Sequence, residues 1–296
     1  MRSRLSFTWD LLYHCNYRCS YCWWDPHWLK FAEKYAGYPS ARQWIRAWEN
    51  VRRLSGEADI SVLGGEPLMY AGFSDMVRAL TTAQGHHVCI TTNLYTGSRQ
   101  LADFVKGISP EKLDLSCSYH PHFASLTEVL EKVKALKELG FHVPVYLISF
   151  PPFLEELPSY EETVRRAGGD FRLRIFCGEY NGKTYPRDYT DPERALLSKM
   201  LGNPVQVDYQ IDQKTTLGER CYSGAVYGNV KPTGDVYRCG QSAIDGKPMG
   251  NIFDEDFHML PGPTPCPFTH CSCQEYEYVA KEYERKRALR AGMSVA

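Results

Sequence analysis

The sequence predicts an α/β fold: a partial, TIM-like (β/α)6 barrel followed by a small cysteine-rich C-terminal domain with a terminal helix. Two observations predict the barrel. Short apolar runs alternate with amphipathic stretches, and six apolar runs follow one another between residues 6 and 177. Such alternation favours a parallel sheet, and six units suit a partial barrel better than a closed eightfold one. A third observation, five cysteines beyond residue 220, predicts the second domain.

The predicted strands are short apolar runs bounded by turn-forming residues, and they cover residues 6–13, 59–65, 87–93, 112–119, 143–150 and 171–177. The helices between them have apolar residues three or four apart, and they cover 40–54, 73–84, 98–108, 125–140 and part of 154–169. The helix at 125–140 has the clearest boundaries, because Ser125 and Glu128 are typical of a helix start and Gly140 of a helix end.

The pattern changes near residue 178. A loop rich in tyrosine and turn formers leads to a helix at 191–201 and then to a hairpin with its turn at 231–234. A proline-rich segment and a helix of mixed charge complete the chain. We therefore predict three parts: the barrel at 1–180, a linker with a helix at 181–216, and the C-terminal domain at 217–296.

Composition excludes several classes of protein. The chain has 296 residues with 34 basic and 35 acidic side chains, so no charge excess indicates nucleic acid or a membrane surface as a partner. No apolar run reaches the roughly 18 residues that a membrane helix needs. No signal peptide is predicted, so a cytoplasmic location with reduced thiols is expected. Eleven cysteines in such a compartment indicate metal binding or catalysis.

Three of these cysteines, Cys15, Cys19 and Cys22, lie directly after the first predicted strand. Loops at the carboxyl ends of barrel strands form active sites, and thiolates suit zinc, copper(I) and iron–sulfur clusters. Structural zinc needs a fourth ligand nearby, and the next cysteine is the distant Cys89. Three ligands instead leave one iron of a four-iron cluster open. A zinc knuckle and unpaired core cysteines are the alternatives.

The spacing Cys-x3-Cys-x2-Cys, with the aromatic Tyr21 before the last cysteine, resembles the radical S-adenosylmethionine (radical SAM) superfamily. This resemblance implies that the open iron binds the amino and carboxylate groups of S-adenosylmethionine. It also implies that an electron from the cluster cleaves the cofactor, and that the resulting 5′-deoxyadenosyl radical abstracts hydrogen from a substrate. The segment LGGEP at 63–67 strengthens the resemblance, since in the family this strand end meets the methionyl amino group.

The expected cofactor contacts follow from these strand ends. Gly64 and Gly65 would let backbone carbonyls approach an ammonium group closely, and Glu66 would add negative charge. Arg174 either pairs with a carboxylate or is an ordinary strand-end residue. The complete expected set is Tyr21, Gly64, Gly65, Glu66, Pro67, Thr92, Asn93, Ser116, Ser118 and Arg174.

The C-terminal cysteines are Cys221, Cys239, Cys266, Cys271 and Cys273. With the hairpin they resemble the auxiliary-cluster domains called SPASM and, in the shorter form, twitch. Five cysteines suffice for one cluster, so the resemblance implies two [4Fe–4S] clusters in all. The sequence leaves open which two of the last three cysteines are ligands, and a zinc ribbon is the alternative.

The resemblance implies a radical SAM enzyme that receives electrons from a donor such as flavodoxin or ferredoxin. We expect a small polar substrate, sugar-like or aminocyclitol-like, that is epimerised or oxidised. Cys177, or else Cys117 or Cys89, is a candidate hydrogen donor for epimerisation, and Glu179 is a candidate base for oxidation. The alternatives are a peptide-modifying enzyme with a separate recognition protein and a non-catalytic iron–sulfur redox protein.

Overall fold

A computed structural model describes residues 4–22, 37–271, 274–290 and 292. Six parallel strands lie side by side in chain order, as the alternation of strands and helices predicts. They are β1 (Leu5–Leu12), β2 (Ala58–Gly64), β3 (His87–Thr92), β4 (Leu113–Ser118), β5 (Val145–Ile148) and β6 (Phe171–Arg174).

The helices that connect these strands also lie where the sequence predicts them, although several are shorter. They are α1 (Ala41–Ser55), α2 (Phe73–Arg78), α3 (Ser98–Val105), α4 (Leu126–Glu138) and α5 (Leu157–Arg166). The predicted helix at 73–84 is α2 followed by a π-helical turn at Ala79–Ala83. Helix α1 begins with a capping box, in which Ser40 and Gln43 satisfy each other's backbone N–H groups.

Strand β1 shows how the two faces of the sheet differ. Phe7 and Trp9 are buried against α1, and the Trp9 ring lies 4.5 Å from the Trp44 ring and 5.3 Å from the Trp48 ring. Because side chains alternate along a strand, Asp10 points to the opposite side. We call that side the inner face; it carries Asp10 of β1, Cys89 of β3, Ser116 and Ser118 of β4, Tyr146 of β5 and Arg174 of β6.

The C-terminal part of the chain extends the barrel sheet, which the sequence did not predict. Strand β10 (Tyr227–Val230) pairs in parallel with β1, placing Asn229 beside Thr8. Strands β11 (Asp235–Tyr237) and β12 (Gly250–Asn251) follow as antiparallel strands. Gly228 makes this possible, because a Cβ atom there would lie 3.0 Å from Val236 and 3.2 Å from Phe7. The boundary at residue 217 remains a prediction.

The remaining elements are short. The strands are β7 (Gly178–Tyr180), β8 (Lys183–Tyr185), β9 (Arg220–Cys221), β10 (Tyr227–Val230), β11 (Asp235–Tyr237), β12 (Gly250–Asn251) and β13 (Thr264–Pro265). The helices are α6 (Asp191–Leu201), α7 (Pro204–Gln210), α8 (Ser242–Asp245) and α9 (Ala280–Arg290). The predicted terminal helix is divided into a 3-10 turn at Gln274–Tyr278 and α9. None of the helices in the described ranges combines the length and apolar character needed to cross a membrane.

Candidate functional site

The end of β2 holds the loop that follows β1. Gly65 N–H donates to the Leu12 carbonyl oxygen at 2.7 Å, and Glu66 N–H donates to the His14 carbonyl oxygen at 2.8 Å. A Cβ atom on Gly65 would lie 1.8 Å from that His14 oxygen, and one on Gly64 would lie 2.2 Å from the Leu12 oxygen. The sequence suggested that these glycines make room for a ligand. The structure adds a different reason, which is that they make room for the cysteine-bearing loop.

The three cysteines of that loop are neighbours. Cys15 Sγ accepts a hydrogen bond from Tyr17 N–H at 3.4 Å, and Cys22 N–H donates to the Cys19 carbonyl oxygen at 3.0 Å. Burial, with added repulsion from Cys22 and Cys15, raises the pKa of the Cys19 thiol to about 12. Three thiolates in one loop would need a compensating cation such as a bound metal ion.

Glu66 is a buried carboxylate that joins the ends of β2 and β3. It accepts hydrogen bonds from Thr92 Oγ1 at 2.7 Å, Asn93 N–H at 2.8 Å and Leu68 N–H at 3.0 Å. Burial raises the pKa of this carboxyl group to about 6 despite the three bonds. No salt bridge to Glu66 is found within the described ranges. Pro67, also an expected cofactor residue, begins the 3-10 turn at Pro67–Met69.

Thr92 and Asn93, both expected to contact the cofactor, have different surroundings. Thr92 is buried on the outer face and uses its hydroxyl group for Glu66 and for Leu94 N–H. Its hydroxyl group has both of these partners inside the protein, and a cofactor contact at Thr92 stays a prediction. Asn93 lies beside the cysteine loop, with Nδ2 at 2.9 Å from Asn16 Oδ1 and 4.0 Å from Cys15 Sγ. Its buried Oδ1 has no hydrogen-bond partner among the described residues, so it fits a bound ligand.

Strand β4 separates its serines from its cysteine, as strand alternation predicts. Ser116 faces inward, where its hydroxyl group lies 3.5 Å from Cys89 Sγ, and Ser118 lies on the same face. Cys117 is fully buried on the outer face. It therefore has no access to a substrate on the inner face, and the structure does not support it as a hydrogen donor.

Arg174 ends β6 on the inner face. Its guanidinium group lies 4.3 Å above the Tyr146 ring, and burial lowers its pKa. No hydrogen bond or ion pair of this group is found in the described part of the chain. A desolvated guanidinium without an acidic partner is costly, so Arg174 fits an anionic group of a ligand.

The two remaining catalytic candidates follow β6 in the chain. Cys177 is half-buried in the connection from β6 to β7, with Sγ 3.8 Å from the Ile175 carbonyl oxygen. The buried Tyr189 is another of its neighbours. Glu179 is exposed on the β7–β8 hairpin. Its role as a base stays a prediction.

Sequence reasoning did not single out three polar residues near the site: Asp10 and Lys231, which are buried, and His120, which is partly buried. Lys231 Nζ lies 2.5 Å from Asp10 Oδ2 on the inner face. His120, just past β4, has Nδ1 3.4 Å from Cys19 Sγ and 3.1 Å from the Tyr21 hydroxyl oxygen. Two features of the sequence could have pointed to these residues. Asp10 is a charged residue within a mostly apolar strand, and His120 follows closely after the end of β4.

A second group of cysteines surrounds a cavity in the C-terminal part of the chain. The cavity is lined by the thiols of Cys221, Cys239, Cys266 and Cys271. Arg238 also lines it, and Arg238 Nη2 is buried without a hydrogen-bond partner in the described residues. Burial raises the pKa of Cys239 to about 12.

The cavity locates two of the last three cysteines. Cys266 and Cys271 both line it, whereas Cys273 lies outside the described residues. Within the described ranges, no three His, Cys, Asp or Glu side chains are grouped as a site for a metal ion. The four thiols are spread around a space, and the positive Arg238 suits the negative charge of a thiolate-bound cluster.

Comparison with known proteins gives one family match and one curated relative. The model of the "Radical SAM superfamily" matches residues 11–167, more than half of the chain. A GTP 3′,8-cyclase of Vibrio parahaemolyticus serotype O3:K6 (strain RIMD 2210633) is 25% identical over 138 residues. The match spans 43% of this chain and 40% of the cyclase, so the chain aligns with less than half of that relative.

Two solved structures share the fold. Streptococcus suis SuiB with its precursor peptide SuiA superposes with a TM-score of 0.62 at 13% identity, over 96% of this chain and 67% of SuiB. The protein anSMEcpe with bound AdoMet and the Cp18Cys peptide gives 0.62 at 15% identity, over 95% and 82%. These likenesses confirm the predicted fold class. Radical SAM proteins bind a [4Fe–4S] cluster and S-adenosylmethionine, and this chain belongs to the radical SAM superfamily.

Proposed function

We propose that this chain is a radical SAM enzyme with one auxiliary [4Fe–4S] cluster and that it oxidises a small polar substrate. The observation that carries the proposal is the C-terminal cavity with its four thiols. When bound, the first cluster and S-adenosylmethionine supply the radical that removes a hydrogen atom from the substrate, and the auxiliary cluster supplies an acceptor for the electron that remains. The chain's own residues hold these groups and position the substrate.

Cys15, Cys19 and Cys22 hold the first cluster in this proposal. Asn93 supports the assignment, because its buried carbonyl oxygen has no hydrogen-bond partner among the described residues and its nitrogen lies 4.0 Å from Cys15 Sγ. Glu66 contributes a buried negative charge near the same strand ends, where a ligand ammonium group would offset its desolvation. The loop is held at a fixed distance from this region by the hydrogen bonds of Gly65 and Glu66.

Cys221, Cys239, Cys266 and Cys271 hold the auxiliary cluster. Four thiolates give a [4Fe–4S] cluster a net negative charge, and Arg238 offsets part of it within the same cavity. This ligand set leaves Cys273 as the cysteine that is not needed. The proposal thereby selects a twitch-like domain with one auxiliary cluster.

A small polar substrate fits the side chains of the inner face. Ser116 offers a hydroxyl group, Arg174 a guanidinium group that forms no ion pair with the described residues, and Asp10 with Lys231 a buried ion pair. Polar groups arranged in this way favour a hydroxylated or anionic molecule over an apolar one. Electrons would come from a cytoplasmic donor such as flavodoxin or ferredoxin.

Epimerisation is a second candidate reaction, and one observation favours it. Cys89 is a thiol on the inner face, in contact with Ser116. It is better placed to return a hydrogen atom to a substrate than Cys177 or Cys117 are. Replacing Cys89 by alanine distinguishes the two reactions, because it would remove inverted product but change the yield of oxidised product by less than about twofold.

A peptide substrate is a further candidate, because SuiB and anSMEcpe share the fold and their structures contain peptides. Deuterium tracing separates these classes of substrate. Label should enter 5′-deoxyadenosine from a labelled polyol, amino sugar or aminocyclitol if the substrate is small. Label that enters only from a peptide would replace the small-molecule proposal.

Iron counting after anaerobic reconstitution tests the proposal as a whole. The wild type should hold about eight irons as two clusters. Cys239→Ala should hold about four, should still form 5′-deoxyadenosine, and should lose the oxidised product. Cys273→Ala is the matched control and should keep about eight irons. A Cys239→Ala variant with a full iron content would contradict the auxiliary cluster.

A further inference from the structure

His120 lies against one of the three cysteines in the loop after β1. Its Nδ1 atom is 3.4 Å from Cys19 Sγ and 3.1 Å from the Tyr21 hydroxyl oxygen. The Tyr21 hydroxyl group also hydrogen-bonds the Cys19 thiol. The three polar atoms are therefore mutual neighbours, and two of them carry protons that can be donated.

The imidazole ring is held in this position from several sides. It stacks on the Tyr21 ring with 5.9 Å between centroids and an 18° angle between planes, and the Tyr17 ring meets its edge at 5.7 Å. The His120 carbonyl oxygen accepts from Phe123 N–H at 2.9 Å and from Ala124 N–H at 3.1 Å. Both the backbone and the ring are thus fixed by contacts that do not involve a cluster.

The direction of the hydrogen bonds follows from the chemistry of a ligated cysteine. A thiolate bound to iron can only accept hydrogen bonds, whereas a neutral imidazole donates from Nδ1–H and a phenol donates from its hydroxyl group. Donors near a cluster sulfur favour the more negative, reduced cluster, which raises its reduction potential.

We propose that His120 is a positioning residue of the S-adenosylmethionine-binding cluster: with Tyr21 it donates hydrogen bonds to the Cys19 thiolate and raises the reduction potential of the cluster. The inference rests on the proposed function, because it takes Cys19 to be a ligand. It gives a reason for a partly buried polar ring beside a thiol. It also gives the aromatic residue of the cysteine motif a polar role through its hydroxyl group.

The test compares two histidines that pack on the same tyrosine. His120→Phe keeps an aromatic ring for stacking and removes the donor. His122 meets the Tyr21 ring at 6.4 Å and forms no hydrogen bond with a cysteine among the described residues, so His122→Phe is the matched control. The midpoint potential of the cluster is measured by EPR-monitored redox titration of each reconstituted protein, in a Cys239→Ala background that leaves one cluster to observe.

His120→Phe should retain about four irons and should be harder to reduce. The expected change is about tenfold in the equilibrium for reduction, which is about 59 mV more negative for a one-electron couple. His122→Phe should leave the potential unchanged. An unchanged potential in a fully loaded His120→Phe protein overturns the proposal.

A third variant keeps the test decisive if His120→Phe does not load iron. His120→Gln retains an N–H donor, so it should load iron and keep the potential within about threefold of the wild-type reduction equilibrium. Failure of both variants to load iron would mean a purely structural role and would overturn the proposal. If Cys19 is not a ligand of the cluster, a separate measurement shows it, because Cys19→Ala would then still bind the cluster.

Discussion

Gly65→Ala perturbs the contact between the end of β2 and the cysteine-bearing loop. The new Cβ atom would lie 1.8 Å from the His14 carbonyl oxygen, whereas Cβ contacts below 3.0 Å are essentially never seen. The loop must therefore retreat by at least about 1.2 Å, which is the difference between these two distances. That movement breaks or weakens two backbone hydrogen bonds, from Gly65 N–H to the Leu12 oxygen and from Glu66 N–H to the His14 oxygen.

The cost can be worked from these contacts. Each backbone hydrogen bond contributes about 1 kcal/mol net, and the residual strain adds about 1–2 kcal/mol. We therefore expect Gly65→Ala to lower the free energy of unfolding by about 3 kcal/mol. Because Cys15 follows His14 directly, the first cluster should also fail to assemble, and the iron content should fall from about eight to about four.

The assay is urea unfolding of the iron-free, reduced protein followed by circular dichroism, together with iron counting after reconstitution. Gly262→Ala is the matched control, because no atom lies within 4 Å of its added Cβ and its backbone is not left-handed. It should change stability by less than about 0.5 kcal/mol. The reasoning is refuted if Gly65→Ala is as stable as this control and holds as much iron as the wild type.

Three further changes test other buried polar groups. Lys231→Met leaves Asp10 buried and unpaired, so it should cost about 3–5 kcal/mol in urea unfolding, and adding Asp10→Asn should recover part of that loss. Thr92→Val removes the hydroxyl group that donates to Glu66, and it should cost about 2 kcal/mol in the same measurement. Burial lowers the pKa of His86, so the stability present above pH 6.5 should be lost as the pH falls below that value. His86→Gln should flatten this pH dependence, and an unchanged slope would contradict the assignment.

The barrel was predictable because its signals are local. Each strand is an apolar run, each helix has its own periodicity, and the glycines of LGGEP mark the end of β2. Alternation along β4 also placed Ser116 and Cys117 on opposite faces correctly. By the same rule, the Thr92 side chain shares the outer face with the apolar Val88 and Ile90.

The features that sequence reasoning missed depend on contacts between distant residues. Lys231 meets Asp10 across 221 positions of the chain, and His120 meets Cys19 across 101. A glycine is required at position 65 because the loop after β1 passes close to it. Its position in the LGGEP motif alone suggested only that it makes room for a ligand. The pairing of β10 with β1 likewise joins segments that no local pattern connects.

The formation of 5′-deoxyadenosine from S-adenosylmethionine tests the central claim most directly. The reconstituted protein is reduced under anaerobic conditions, and the product is quantified by liquid chromatography with mass spectrometry. The wild type should release 5′-deoxyadenosine and methionine in equal amounts, and Cys19→Ala should release neither above the level of a protein-free control. Absence of both products from wild-type protein that holds its full iron content, or their undiminished formation by Cys19→Ala, would contradict the account.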